Sequence, residues 1–122
     1  MGDDRIEIRG LRGLGHHGAN PGEQDVAQPF EVDLDVYCAL GAAARSDDLG
    51  DTVDYSALCV AVLAVIEDER FALLEALASR IADLVLSVDG VIGVGVALRK
   101  VRPPVPVALE TVGVRLSRGR PA

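Results

Sequence analysis

Basic residues are scarce in this chain: twelve lysines and arginines stand against nineteen aspartates and glutamates, for a net charge of -7 over 122 residues. A surface of that sign repels the phosphate backbone that dominates nucleic-acid affinity, so nucleic acid is excluded as a partner. Cysteine is equally sparse. Cys38 and Cys59 lie in apolar stretches without CxxC spacing or a nearby histidine, which argues against a disulfide framework or a zinc site and reads as buried reduced thiols. Histidine occurs only as the neighbours His16 and His17. Adjacent residues of a strand point to opposite faces, and no third histidine can complete a ligand set, so no metal is expected. Long apolar runs are missing too, the longest being Ala57 to Ile66, which is too short to cross a bilayer. The start, Met1-Gly2-Asp3-Asp4-Arg5, is acidic and leads into a strand pattern, so it fits neither a signal peptide nor a myristoylation motif. A cytoplasmic location and no membrane partner are expected.

Apolar residues at 49% and charged residues at 25% describe a chain that folds. Its length fits one domain, 1–122. A chain of this size buries roughly two thirds of its unfolded surface, enough for one core but little for a deep private cavity. A site shared between subunits is therefore an expectation from length alone.

From Arg5 to about Leu14, charged Arg5, Glu7 and Arg9 alternate with Ile6 and Ile8, the period of a half-buried strand. A second alternation sets Phe30, Val32, Leu34 and Val36 against Glu31, Asp33, Asp35 and Tyr37. That pattern favours an antiparallel sheet with one wet or partner-covered face. The polar loop between them, His16 to Gln28, is too long for a tight hairpin and should fold over something. The period then changes. Leu58, Val62, Val65 and Ile66 are spaced for a helix from Tyr55 to about Glu67 with Asp54 as its N-cap, and Leu74 to Val88 carries a second stripe. Strand composition returns in Val91–Arg102 and Ala108–Arg118, separated by Pro103-Pro104-Val105-Pro106. The order ββααββ predicts an α+β fold, a four-stranded antiparallel sheet with two helices on one face.

Several motifs point nowhere. Gly13-Leu14-Gly15-His16-His17-Gly18 satisfies GxGxxG, but Asn20-Pro21-Gly22-Glu23 comes next and opens no helix, so the dinucleotide-binding context is missing. Asp47, Asp48, Asp51 and Asp54 miss the calcium-loop spacing and read as helix caps and dipole partners. The proline-rich Arg102–Val107 reads as a stiff connector.

Four segments together resemble the dihydroneopterin aldolase family in order and spacing. They are Gly15-His16-His17-Gly18-Ala19, Asp51-Thr52-Val53-Asp54-Tyr55, Phe71-Ala72-Leu73-Leu74-Glu75, and Leu98-Arg99-Lys100 through Pro103-Pro104-Val105-Pro106; Val112-Gly113-Val114 also fits. The likeness covers nearly the whole chain. It implies the tunnelling fold, in which subunits join their sheets into a barrel, and a homo-octamer of two stacked tetrameric rings. It also implies a site across a subunit boundary: Lys100, Tyr55 and Glu23 as catalytic residues, Tyr55 coming from the neighbour of the chain that contributes Glu75 and Lys100, with Glu75, Leu74 and Val53 binding the pterin. Glu75 resembles the carboxylate that grips the 2-amino and N3 edge, while Lys100 and Tyr55 resemble the proton-transfer residues. Only Lys100 stands out without the family, since it shares a strand face with Val96 and Leu98. The stretch Asn20-Pro21-Gly22 ahead of Glu23 departs from the family and bears on the side-chain pocket.

The implied reaction cuts 7,8-dihydroneopterin into 6-hydroxymethyl-7,8-dihydropterin and glycolaldehyde, without a cofactor. The substrate's N5=C6 imine accepts the electrons of the breaking C1′–C2′ bond, so no lysine Schiff base or metal Lewis acid is needed. A base for the 2′-hydroxyl and an acid for the enamine suffice. A partly desolvated lysine suits the first task. Recapture of the aldehyde from the other face would epimerise the substrate to dihydromonapterin. Two alternatives remain open: a dihydroneopterin triphosphate epimerase, drawing on Arg99 and Arg102 for phosphate, and a non-catalytic pterin-binding barrel subunit.

Overall fold

A computed structural model describes residues 4–119; the reading of Met1–Asp3 as an acidic start without a leader lies outside the described residues. The chain runs β1 (Arg5–Gly15), β2 (Gln28–Tyr37), α1 (Gly41–Ser46), α2 (Tyr55–Asp68), α3 (Leu74–Leu86), β3 (Gly93–Lys100) and β4 (Val112–Gly119). Short 3-10 turns occupy Glu23–Asp25 and Leu49–Asp51. The strands form one antiparallel sheet in the order β1-β2-β3-β4, the α+β arrangement expected from the alternations, leaving β1 and β4 as its edges.

The period-two pattern of β2 divides the molecule. Phe30, Val32, Leu34 and Val36 are fully buried beneath the helices, together with Val94, Val96 and Leu98 of β3. Helix α2 covers β1, and α3 covers β3 and β4. The expected stripe of α2 (Leu58, Val62, Val65, Ile66) is the one that is buried. Asp54 caps that helix, its carboxylate accepting from the N–H groups of Ser56 and Ala57 at 3.1 and 3.2 Å. Asp48 accepts likewise from Gly50 at 3.0 Å, so these two acids serve as local caps.

On the open face, charges pair across the strands. Arg12 meets Glu31, Arg9 meets Asp35, and Arg99 meets both Glu31 and Asp33. A bulge between Ile8 and Leu11 keeps Ile6, Ile8 and Leu11 on the helix side. Gly10 sits there at φ 72°, a conformation that favours glycine, and its N–H donates to Asp33 at 2.7 Å.

Three expectations need correction. Strand β4 begins at Val112 and not at Ala108, because its pairing with β3 starts at Lys100–Val112, leaving 101–111 as an arm whose prolines cannot donate to a ladder. Strand β3 is correspondingly shorter, Gly93–Lys100 in place of Val91–Arg102. Cys38 is buried, but Cys59 is only partly so, since its place on α2 is at the edge of the buried stripe.

The two ends of β3 are well separated. Gly93 pairs with Tyr37 at one end and Lys100 with Phe30 at the other. Seven strand steps of about 3.3 Å put these ends about 23 Å apart.

Candidate active site

At the Lys100 end, three segments enclose a cavity of about 230 Å³. The His16–Gln28 loop contributes Ala19, Asn20 and Glu23, so the loop does fold over something. The start of α3 contributes Leu73, Leu74 and Glu75, and the proline arm contributes Pro103, Pro104 and Val105. Lys100, the last residue of β3, closes the floor.

Lys100 lies on the helix-facing side of the sheet, as its register with Val96 and Leu98 requires, and its side chain is 13% exposed. Its Nζ stands 2.5 Å from Oε2 of Glu23, whose side chain is 7% exposed. Two further donors hold that carboxylate, the Gln28 amide at 3.1 Å and the Asn20 N–H at 3.2 Å. Burial pushes the Glu23 carboxyl upward, but the bonds from Lys100, Gln28 and Asn20 outweigh it and leave the group below its ordinary value. Gly18 makes the space: a Cβ there would stand 2.0 Å from the Glu23 carboxyl carbon.

Glu75 is in the first turn of α3, where no side chain caps the helix and the dipole favours a negative charge. It is exposed, and its side chain makes no hydrogen bond or ion pair among the described residues. The cavity therefore has an uncommitted carboxylate at one wall, a lysine–carboxylate pair at another, and apolar Leu73, Leu74 and Val112 around them. Such a lining suits a small ligand with polar edges and an apolar body.

Residues 6–117 match the family model FolB, dihydroneopterin aldolase. The dihydroneopterin aldolase of Streptomyces coelicolor is 40% identical over 117 residues, covering 96% of this chain and 98% of the relative. The chain belongs to the dihydroneopterin aldolase family. Solved structures agree: FolB from Vibrio cholerae superimposes with a TM-score of 0.89 at 34% identity, covering 96% of this chain and 98% of that one. Dihydroneopterin aldolase from E. coli, solved in complex with neopterin, gives 0.87 at 30% identity, covering 95% and 99%. The enzyme is a lyase of the folate pathway.

Within one chain the six expected site residues fall into two groups. Glu23, Leu74, Glu75 and Lys100 share the cavity at the Lys100 end. Val53 does not: it is buried beside a second cavity of about 250 Å³ lined by Cys38, Ala39, Gly50, Asp51, Thr52, Asp89 and Gly90. Cys38 and Gly90 flank the Tyr37–Gly93 end of the sheet, about 23 Å from Lys100 by the strand estimate. Tyr55, two residues beyond Val53, opens α2 and is 57% exposed.

Arg99, considered for phosphate, is on the opposite face from its neighbour Lys100, committed to Glu31 and Asp33. Arg102 is exposed on the arm. Sequence reasoning missed Gly18, Gln28 and the Asn20 N–H, which hold Glu23. Only the spacing Gly18–Glu23 within a loop expected to fold back hinted at them.

Proposed function

We propose that this enzyme cleaves 7,8-dihydroneopterin in the cavity at the Lys100 end of the sheet. Leu74 packs on the pterin ring, Glu75 accepts from its amino-pyrimidinone edge, and the trihydroxypropyl tail lies toward Lys100 and Glu23. The observation that carries this reading is the part-buried Lys100–Glu23 pair facing an unpartnered Glu75 across apolar walls.

Glu23, as an acceptor-only carboxylate, takes one N–H of Lys100 and fixes the direction of the amine. In its neutral form the amine has a lone pair left for the 2′-hydroxyl proton, directly or through a water. As that proton leaves, the C1′–C2′ bond breaks, its electrons enter the N5=C6 imine, and glycolaldehyde departs. A proton delivered to C1′ completes 6-hydroxymethyl-7,8-dihydropterin. Tyr55 is assigned that delivery, and recapture of the aldehyde before it leaves accounts for epimerisation. The triphosphate epimerase reading gains no support, since Arg99 is committed elsewhere. Folate-pathway chemistry of this kind belongs in the cytosol.

Val53 and Tyr55 serve this cavity only from another copy of the chain, because the sheet holds the two groups apart within one. Edge strands β1 and β4 are available to pair between copies and close a barrel, and an octamer of two stacked rings follows the family pattern. The primary test is incubation with 7,8-dihydroneopterin and detection of glycolaldehyde; its absence refutes the reaction. Complementation tests the sharing. Inactive Y55F and K100M proteins, unfolded together and refolded as a mixture, should regain activity at interfaces that pair an intact Tyr55 with an intact Lys100. Mixed oligomers as inactive as their parents would refute the shared site.

A further inference from the structure

His17 has no part in the proposed chemistry, and the structure gives it unusual surroundings. It is the one polar or charged residue that is buried among those described, at 1% exposed. Its ring lies edge-on to Phe30, with centroids 5.0 Å apart, and stacks on Phe71 at 5.9 Å. Nδ1 accepts from the Phe71 N–H at 3.1 Å, so the ring hydrogen is on Nε2, which donates to the Ile66 carbonyl at 2.7 Å. Gly15 leaves room for this, since a Cβ there would stand 2.6 Å from the Ile66 oxygen and 2.8 Å from the ring. The next residue, Gly18, donates its N–H to the Phe71 carbonyl at 3.0 Å.

Phe71 is therefore held at both its backbone groups by two consecutive loop residues. On one side of this latch the loop continues to Asn20 and Glu23. On the other, the chain continues to Leu73, Leu74 and Glu75. These are two facing walls of the cavity. We propose that His17 is a positioning residue, whose Nδ1 sets the separation between the Glu23 wall and the Glu75 wall and so the fit of the pterin. This rests on the aldolase site of the proposed function. The latch requires the neutral ring, because a second ring hydrogen would face the Phe71 N–H donor to donor. Burial, opposed by the Ile66 carbonyl and reinforced by His16, Lys100 and Arg70, holds the His17 pKa below its ordinary value.

Two substitutions separate positioning from bulk packing. In H17N the side-chain oxygen takes the place of Nδ1 and can still accept from Phe71, whereas in H17Q the amide reaches Ile66 but leaves the Phe71 N–H unmet. Both are assayed with 7,8-dihydroneopterin, at a temperature where thermal melts show each folded. An unmet buried N–H predicts a KM about tenfold higher or more for H17Q, with kcat little changed, and a KM near wild type for H17N. Equal KM shifts in both variants, or none in either, overturn the proposal. Should H17Q not fold, the wild type decides: its KM should rise as pH falls through the depressed His17 pKa, and H17N should lack that rise. Parallel pH curves would overturn it equally. Wild-type protein that makes no glycolaldehyde fails the aldolase reading, and this inference with it, before any variant is compared.

Discussion

Arg99 and Lys100 are neighbours in sequence on opposite faces of one strand, and the two faces use charge differently. On the open face every acid near Arg99 is shared: Glu31 serves Arg12 and Arg99, and Asp33 serves Arg99 and the Gly10 N–H. Those groups satisfy one another and have little left for a ligand. On the covered face Lys100 has a single carboxylate partner, and Glu75 has none among the described residues. A lysine with one partner, and a carboxylate beside a helix N-terminus with none, are incomplete sets that a substrate can finish. The site is the place where polar groups are buried or gathered without being saturated.

The contrast is broken most severely at Lys100. K100M should lose about 10²- to 10⁴-fold in both cleavage and epimerisation, the range for a missing general base, while pterin affinity changes less. Near-normal turnover in steady-state assays would end the base assignment.

Glu23 comes next. E23Q leaves Lys100 largely buried without its counter-charge, costing about 2 to 3 kcal/mol at neutral pH. Because the folded pKa of Glu23 lies below its ordinary 4.5, its contribution is fully present above that value and is lost as pH falls through the folded value. Thermal melts across acid pH should therefore show a decline in wild type that E23Q lacks. Superimposable profiles would mean the pair does not stabilise the fold.

Glu75 sharpens the comparison through binding alone. Its carboxylate offers two acceptors to the paired N–H donors of the pterin edge, and glutamine offers one acceptor with a donor facing a donor. Charged hydrogen bonds of about 1.5 to 3 kcal/mol predict affinities roughly 10- to 150-fold weaker for substrate and product alike in E75Q, measured by calorimetry. Unchanged binding by a folded E75Q protein would remove this residue from the site. The smallest effect belongs to the saturated face. R99Q should cost about 1 kcal/mol, seen as a melting point a few degrees lower, with turnover unchanged. A large loss of activity in R99Q would show that the two faces are not independent.

Much of the fold was legible in the sequence because its signals are local. Alternation over Gln28–Tyr37 marks which residues meet the helices, and Asp54 announces α2 by a contact only two and three residues long. Helix α1, Gly41–Ser46, was missed because six residues show no period and carry no buried face. The latch at His17 was missed for the opposite reason, since its partners Ile66 and Phe71 are 49 and 54 residues away. The resemblance gathered Val53 and Tyr55 with Lys100, yet sequence spacing contains no distance. The family pattern assigns Tyr55 to a neighbouring subunit, and the register of β2 on β3, with Val53 in the cavity beside Cys38 and Gly90, supplies the distance within one chain.

The arm from Val101 to Thr111 forms the lip of the cavity with few backbone bonds to hold it. Val101 donates to Pro29, and Val105 to Pro103. Its order comes instead from covalent rings, since Pro103, Pro104 and Pro106 each fix one backbone torsion before the chain folds. A lip stiffened in this way has less conformational freedom to lose when a ligand settles against it, so little of the binding energy is spent on immobilising the wall. Pro106 is not part of the cavity lining, so glycine there would keep the ring contacts of Pro103 and Pro104 and still free the arm, a loss that would register in the entropy of association.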